Sequence, residues 1–373
     1  MNIVFIIDQV YLHGGIERVL SIKANYFAAD KTNKVNIITS EQKGKKPCYY
    51  FDEAINFKDL NINYDRKISY FNPLNVLKIP KHIYRLRKYL KELKPDIVVV
   101  CSHSVDTYFV PFLLKGTPKI KEYHFSKSIE IPYRTKGNKS KKRYFLKFAD
   151  YIDKKYDKII VLNKDEATYY KSNNTIVIPN PNTFFPDTIS NHSSKIAIAA
   201  GRIAPVKQFD QLIEIWNLVA KEKKEWQLHI YGTGDKGLLD NLQYKISNYK
   251  LDNNIILKGA TNKIKDKMLN ASMFLMTSKN ECFPLVLLEA QACGLPIISY
   301  NCPHGPQNII NDKNGILILQ EHITDFSKSI INLIDKPDLR KTLGKAARLN
   351  ALNYSEDKIM HKWKSVFNQL TNI

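Results

Sequence analysis

Cysteine is scarce in this 373-residue chain, and the five present, Cys48, Cys101, Cys282, Cys293 and Cys302, form no Cys-x-x-Cys pair. An odd number without metal-ligand spacing excludes a disulfide framework and a structural zinc site, and fits reduced thiols. Long apolar runs are missing too. The N-terminal run from Ile3 to Ile7 is short, is closed by Asp8 and has neither a basic leader nor a small-residue cleavage site. It reads as a first β-strand, and the expected location is cytoplasmic. No repeat of solenoid period and no low-complexity tract is present, which excludes repeat architectures and linker-like chains. Acidic residues are in short supply, with 36 Asp and Glu against 57 Lys and Arg, a formal net charge of +21.

What is present is a globular composition, 44% hydrophobic, long enough for two domains at roughly 150 residues each. The excess positive charge concentrates in KHIYRLRKYLKELK (81 to 94) and RTKGNKSKKRYFLKFADYIDKKYDK (134 to 158), where basic, aromatic and aliphatic residues interleave. That mixture suits an anionic surface, either lipid headgroups or nucleic acid, and equally suits solvated helices of a lysine-rich chain.

Strand and helix patterns alternate. NIVFIID, a Gly-Gly turn, the helical IERVLSIKANYFAA, then KVNIITS, PDIVVVCS (95 to 102) and DKIIVLN (157 to 163) give the rhythm of a parallel sheet covered on both faces. The stretch TFFPDTISNHSSK (183 to 195) reads as a linker. The rhythm restarts with KIAIAAG, a helix from about Phe209 to Lys223, WQLHIYG, NIILKG, MFLMTS and PIISY. The amphipathic YSEDKIMHKWKSVFNQL, with Trp363 and Phe367 on one face, predicts a closing helix. The expected architecture is therefore α/β, with two doubly wound Rossmann-like domains facing across a cleft. The first covers 1–182 and is joined by the closing helix at 355–373; the second covers 183–354.

Three segments carry candidate chemistry. LHIYGTGDKG places Gly232, Gly234 and Gly237 in GxGxxG spacing after a strand, but no acidic residue closes the next strand at the distance a nicotinamide site needs. It reads as a glycine turn lining a nucleotide site, with Gly237 serving the turn itself. In AAGRIAPVKQFDQL, Arg202 and Lys207 follow a strand at the sheet's carboxyl edge, matching either a diphosphate or two ordinary surface cations. In SKNECFPLVLLEAQACGLPIIS, Glu289 is a lone carboxylate surrounded by apolar residues. Pro284 is expected at the first helical position and Gly294 ends the helix. Glu289 then lies about 7 to 8 Å along the helix from Pro284, within reach of a ligand at its entrance, with Glu281 on another side. The backbone around Cys282, Phe283, Pro284 and Leu285, at the positive end of the helix, would hold phosphate, worth roughly 0.3 to 2 kcal/mol. Glu289 would accept from ribose hydroxyls and Glu281 from a sugar; the alternative for Glu289 is a buried pairing with a cation.

The order Glu281, seven residues, Glu289 within ECFPLVLLEAQACGLPII, together with GRIAPVK, IYGTGDKG, LKG, VIPNPN (177 to 182) and CPHGPQNII, closely resembles retaining glycosyltransferases of family 4, which have the GT-B fold. The resemblance covers most of the chain; it is strong in the second half and looser in the first, where GGIERVL looks like the family's first loop. It implies transfer of a hexose or N-acetylhexosamine from a UDP-sugar to a sugar acceptor, with retention, in capsule, O-antigen or other surface glycan assembly. Glu289 would bind the ribose, Glu281 the transferred sugar, and Arg202 with Lys207 the diphosphate. His124 in KEYHFSKS looks like the family histidine that contacts the donor sugar, although a histidine after a strand also packs structurally. Gly14 and Gly15 would let the first loop approach donor phosphates or acceptor. Cys282 stands where many relatives have glycine and Asn308 where they have glutamate, which leaves donor selectivity open. No Asp-x-Asp is present, so no metal and no cofactor is expected beyond the nucleotide sugar. The expected partners are a polyprenyl-diphosphate-linked glycan acceptor and an anionic membrane surface, on which the basic first domain would dock peripherally.

Rival functions remain. A nucleic-acid-binding protein would need a recognition helix or RNA-binding sheet, which the sequence lacks, so no nucleic-acid partner is expected. A nucleotide-sugar epimerase needs Tyr-x-x-x-Lys beside a nicotinamide fingerprint; YRLRK (84 to 88) has the first without the second. A sugar phosphorylase stays open on sequence alone.

Overall fold

The computed structural model describes residues 1–101, 103–135 and 141–371. Ser102 at the end of an expected strand, residues 136–140 of the second basic run, and residues 372–373 of the closing helix lie outside the described residues. The chain divides into two compact units, Met1–Pro179 with the C-terminal segment from Glu356, and Asn180–Ser355.

Among the described residues the first unit holds seven strands, β1 (Asn2–Ile7), β2 (Lys34–Thr39), β3 (Asn56–Asp59), β4 (Ile97–Val100), β5 (Lys119–Glu122), β6 (Lys158–Val161) and β7 (Thr175–Val177), in the order β3-β2-β1-β4-β5-β6-β7. All pairs are parallel, with Phe5 opposite Ile37 on one side and Val99 on the other. Side chains alternate across a strand, so Ile3, Phe5 and Ile7 pack into one core and Val4 and Ile6 into the other. The first core is closed by Leu20, Ala24 and Phe27 of the helix Gly15–Ala29 and by Trp363, Val366 and Phe367 of the C-terminal helix Glu356–Thr371. The second is closed by Leu86 and Leu90 of the helix Ile79–Leu93 and Ile152 of the helix Lys141–Asp153. Buried sheet on both faces explains why β1 and β4 are continuous apolar runs.

The second unit holds β8 (Ile196–Ala200), β9 (Gln227–Tyr231), β10 (Ile255–Gly259), β11 (Met273–Met276), β12 (Ile297–Tyr300) and β13 (Gly315–Ile318), all parallel, in the order β10-β9-β8-β11-β12-β13. Trp216 of the helix Phe209–Glu222 is fully buried there with Ile230, Phe326 and Leu343. β3, β5, β7 and β13 go beyond the strand segments named from sequence. β3 is mostly exposed NFKD, and an edge strand of that composition carries no hydrophobic pattern.

In both sheets the chain builds outward one way from its first strand and then returns to build the other way, so order reverses between β1 and β4 and between β8 and β11. Loops at the carboxyl ends of those strand pairs diverge to opposite faces, which opens a crevice. Among the described residues no helix is long and apolar enough to cross a membrane.

Phe367 is fully buried and its ring lies 5.0 Å from that of Phe27. Phe367→Ala should therefore cost about 3–5 kcal/mol. Hydrogen-exchange mass spectrometry should show faster exchange in β1 and the helix Gly15–Ala29 while β8 to β13 keep their protection; unchanged protection of β1 would show that the C-terminal helix is not part of that core.

Candidate functional site

In the second unit, the loop after β8 and the loop after β11 meet at the strand reversal. β8 ends at Ala200, Gly201 and Arg202 follow, and a single 3-10 turn Pro205–Lys207 leads into the helix Phe209–Glu222. This loop is tied down by its neighbours: Ile203 N–H donates to Thr233 O at 2.8 Å, Lys279 N–H to Val206 O at 2.8 Å, and the Thr277 hydroxyl to Lys207 O and Gln208 O at 3.1 and 3.0 Å. Held in this way, the Lys207 ammonium reaches Glu281 Oε1 at 2.5 Å, with both side chains mostly buried. Arg202 is exposed and, among the described residues, makes no hydrogen bond or ion pair.

Glu281 is fixed from its other side as well. Gly305 N–H donates to Glu281 O at 2.9 Å, and a bridge joins Glu281 to His304, so the loop after β12 is the third wall. Asn308 spans this wall by donating to His304 O at 2.6 Å, which gives the departure from the family pattern a structural role.

The glycine turn after β9 does something more specific than expected. Gly232 has φ +154, and a Cβ there would lie 1.9 Å from Gly201 O; a Cβ on Gly234 would lie 2.2 Å from Ile203 O. The backbone that these glycines admit is that of the Arg202–Lys207 loop. Gly237 lies in the first turn of the helix Lys236–Asn248 and donates its N–H to the Asp235 cap at 2.9 Å.

The helix after β11 runs Leu285–Ala292, and Pro284 is its N-cap, with φ −72 and ψ 113, not its first residue. Proline fixes only φ, and that φ is common to both states; the extended ψ is what places it outside. Because Pro284 has no N–H and the Leu287 N–H donates to Pro284 O at 3.1 Å, the first-turn donors without an intrahelical acceptor are Leu285 and Val286. Cys282, Phe283 and Pro284 are buried, and Phe283 O accepts from Asn180 Nδ2 at 3.3 Å. Glu289 is 5% exposed and its Oε1 accepts from the Thr183 hydroxyl at 2.7 Å. The segment 183 to 195, read as a linker, thus contributes a partner to the lone carboxylate, and that partner is a hydroxyl.

In the first unit, Gly14 caps the helix Gly15–Ala29 in an extended conformation (φ −140, ψ 164), and Gly15 is exposed. A Cβ on Gly14 would sit 2.2 Å from Glu17 Oε2, so the space the glycine leaves is filled by a carboxylate. Gln9 Nε2 donates to Glu17 Oε1. Burial, together with nearby Asp8, raises the Glu17 pKa. His124 follows β5, and its Nε2 lies 3.2 Å from Glu122 Oε2.

The sequence reading missed a carboxylate group at the carboxyl ends of β1, β2 and β4. Arg66 pairs with both Asp8 and Glu41 (3.0 Å to the latter), and Tyr70 donates to Glu41 at 3.3 Å. Asp106 is fully buried and its pKa is pushed up to about 6, by burial first and then by Asp8. The available signal was Asp8 itself, a charge ending an apolar strand where open sheets carry their sites.

A family model described as Glycosyltransferase Family 4 matches residues 13–181, and one described as Glycosyl transferases group 1 matches 182–350. An uncharacterised glycosyltransferase of Haemophilus influenzae is 30% identical over 371 residues, covering 97% of this chain and 98% of its own. The amylovoran biosynthesis glycosyltransferase AmsD of Erwinia amylovora is 24% identical over 98% of this chain and 99% of its own. The crystal structure of a Staphylococcus aureus TarM variant in complex with fondaparinux, α-GlcNAc-glycerol and UDP superposes with a TM-score of 0.76 over 98% of this chain and 99% of that one, at 19% identity, a likeness of fold.

Gly232→Ala forces a left-handed-side φ and a clash on the loop carrying Lys207, and should cost about 1–3 kcal/mol. A Cβ on Gly237 meets only Asp235 Oδ1 at 3.2 Å. Gly237→Ala should therefore be near neutral or gain up to about 1 kcal/mol of helix propensity. Thermal melting of the two variants checks the contrast; equal melting temperatures would show that the close approach at Gly232 carries no constraint.

Proposed function

This chain belongs to the GT-B glycosyltransferases of the family 4 type, and on that premise we propose that it moves a hexose or N-acetylhexosamine from a UDP-sugar to a sugar acceptor with retention at the anomeric carbon. The observation that carries the reading is the Lys207–Glu281 contact, which joins the cation assigned to the diphosphate and the carboxylate assigned to the sugar at the strand reversal. Lys207, Arg202 and the N–H groups at the helix end would meet the charge that builds on the leaving UDP, and stabilising such charge is commonly the largest catalytic term. Glu281 would accept from hydroxyls of the sugar. Glu289, which already accepts a hydroxyl from Thr183, would accept from those of the ribose. In the front-face course usual for this family, the bond from the anomeric carbon to UDP breaks as the acceptor oxygen bonds that carbon from the same side, and the acceptor's proton passes to the departing diphosphate. This course calls on no side-chain nucleophile and no metal. AmsD, by its name an amylovoran biosynthesis enzyme, and TarM, crystallised with UDP and α-GlcNAc-glycerol, support a UDP donor and a role in surface polysaccharide assembly.

The acceptor reading follows from the first unit's surface. On the helix Lys141–Asp153, Tyr144, Phe148 and Tyr151 fall at i, i+4 and i+7 and are 64%, 46% and 51% exposed, with exposed Lys141, Lys142, Lys147, Lys154 and Lys155 around them. Leu74 and Leu77, 67% and 78% exposed, add a second apolar point at the helix Pro73–Val76. Aromatic side chains ringed by lysine match the headgroup region of an anionic bilayer, where each lysine contributes about 1 kcal/mol. A polyprenyl-diphosphate-linked acceptor would be presented there, on the cytoplasmic face.

Isothermal calorimetry with UDP, GDP, ADP and NAD tests the donor. UDP should bind selectively, and Glu289→Ala should weaken it about 10- to 100-fold, the loss of charged hydrogen bonds worth about 1.5–3 kcal/mol. A preference for NAD, or UDP binding indifferent to Glu289, rejects the donor site. Flotation with vesicles containing phosphatidylglycerol tests the surface: binding should fall on adding salt and in a Tyr144→Ser/Phe148→Ser variant, whereas no binding to anionic vesicles at low salt rejects it.

A further inference from the structure

Lys23 is the residue of the first unit whose setting asks most for an explanation. It sits in the helix Gly15–Ala29, is fully buried, and lies with Nζ 4.0 Å from the centre of the Trp363 ring and 5.3 Å from that of Phe5. Its ammonium pairs with Glu122 Oε1 at the carboxyl end of β5. The Cys101 thiol donates to the same oxygen at 3.2 Å. The second oxygen, Oε2, faces His124 Nε2 at 3.2 Å.

Burial alone would raise the Glu122 pKa, yet Lys23 and His124 more than offset it and hold the carboxyl at about 2. An ionised carboxylate can only accept, so the ring nitrogen facing it must carry the hydrogen. In the neutral ring that leaves the lone pair on Nδ1. Among the described residues Glu122 is the only hydrogen-bond partner of the ring, whose side chain is 6% exposed at the sheet edge where open α/β folds take their ligands.

A pair of buried charges is poor value as a stabiliser, because well-packed apolar residues of the same volume commonly do as well or better. Lys23 and Glu122 would satisfy each other without His124. The use of the second carboxylate oxygen on the histidine is what a packing role leaves unexplained.

We propose that Glu122 is a positioning residue: clamped by Lys23, it fixes His124 as the Nε2–H tautomer, so that Nδ1 is presented as an acceptor for a hydroxyl of the transferred sugar. The chemistry excludes the alternative that His124 binds donor phosphate while neutral, since a lone pair cannot bond a phosphate oxygen. Through Trp363 the clamp also ties this ring to the C-terminal helix, whose packing holds Lys23 in place. The proposal rests on the reading of the chain as a sugar transferase in which His124 meets the donor.

The test uses the full chain and three variants. Lys23→Met/Glu122→Leu removes both charges at near-constant volume, Glu122→Gln keeps an acceptor oxygen, and His124→Gln assigns the histidine resonance. The probes are UDP release from UDP-glucose, UDP-galactose and UDP-N-acetylglucosamine, and the one-bond 1H–15N cross-peak of His124 Nε2–H at about pH 8, where an ordinary imidazole is neutral. We expect the cross-peak in the native protein and its loss in the double variant, with UDP release slowed tenfold or more in kcat while the donor KM and the melting temperature stay close to native. Glu122→Gln should recover part of both signals. Native UDP release by a folded double variant overturns the proposal, as does a cross-peak absent from the native protein or surviving in the double variant. If the native chain releases UDP from none of the three donors, the donor reading has failed, and the cross-peak still decides whether Glu122 holds the ring.

Discussion

Parallel strands cannot be joined by tight turns, and most of what is distinctive in this protein follows from that constraint. Every crossover must travel the length of the sheet and back, so each unit collects all of its strand-to-helix loops at one edge. The sheet orders then select, from those loops, the ones that separate: those after β1 and β4 in the first unit and after β8 and β11 in the second. Lys207 and Glu281 are seventy-four residues apart in sequence and in contact in space because they follow β8 and β11. No local sequence feature could bring them together; the strand order does.

Charge is handled differently in the two units. The second brings its ionisable candidates to the edge of the sheet and leaves them partly open, as Arg202 and Lys207 show. The first buries them. Asp153 collects Lys121 at 3.1 Å and Lys127 at 2.7 Å, and Arg134 reaches Asp150 through two bonds of 2.7 and 3.0 Å while also meeting Glu130. Burial pushes Lys121 down to about 8 even against the pull of Asp153. Of the run 134 to 158, Arg134 is thus spent on acids of its own unit, and Lys121 and Lys127, outside both basic runs, are buried on Asp153; the lysines around Tyr144, Phe148 and Tyr151 stay exposed, as do Lys81, Lys88 and Lys91 of the run 81 to 94. The net charge overstates the charged surface, since part of it is answered inside the first unit.

The two parallel sheets were legible in the sequence because both-face burial makes strands such as VFII and IVVV continuous apolar runs, which few other structures require. β3 was not, because an exposed edge strand has no such demand on it. The candidate residues of the second half were legible through their order, while their mutual contacts were not. The first half was read less well for a physical reason. Lys23 lies at helical spacing from Val19, Leu20 and Phe27, all buried, so the period itself put a lysine on the core face. Periodicity is normally read from the apolar residues outward, and a single charge on that face is absorbed as an exception. Its meaning appears only once Glu122, ninety-nine residues away, is seen to be its partner.

Glu281 and Glu289 show why residue type alone says little about what a carboxylate does. Glu281 stands before the helix and meets an ammonium; Glu289 stands on its second turn and meets a hydroxyl. A carboxylate beside a fixed cation has its charge already answered, so a ligand reaching it gains hydrogen bonds and geometry more than electrostatic attraction. A carboxylate that accepts from a hydroxyl is already in polyol-like company, and hydroxyls of a ligand match it more readily than an anion does. Anions are unwelcome at both. In the proposed donor site the anion would lie between them, at Leu285 and Val286, where the chain turns into the helix. Spacing the two acids by one loop and one helical turn would then set a charged slot between two polyol slots, the alternation that the proposed diphosphate flanked by two sugar rings requires.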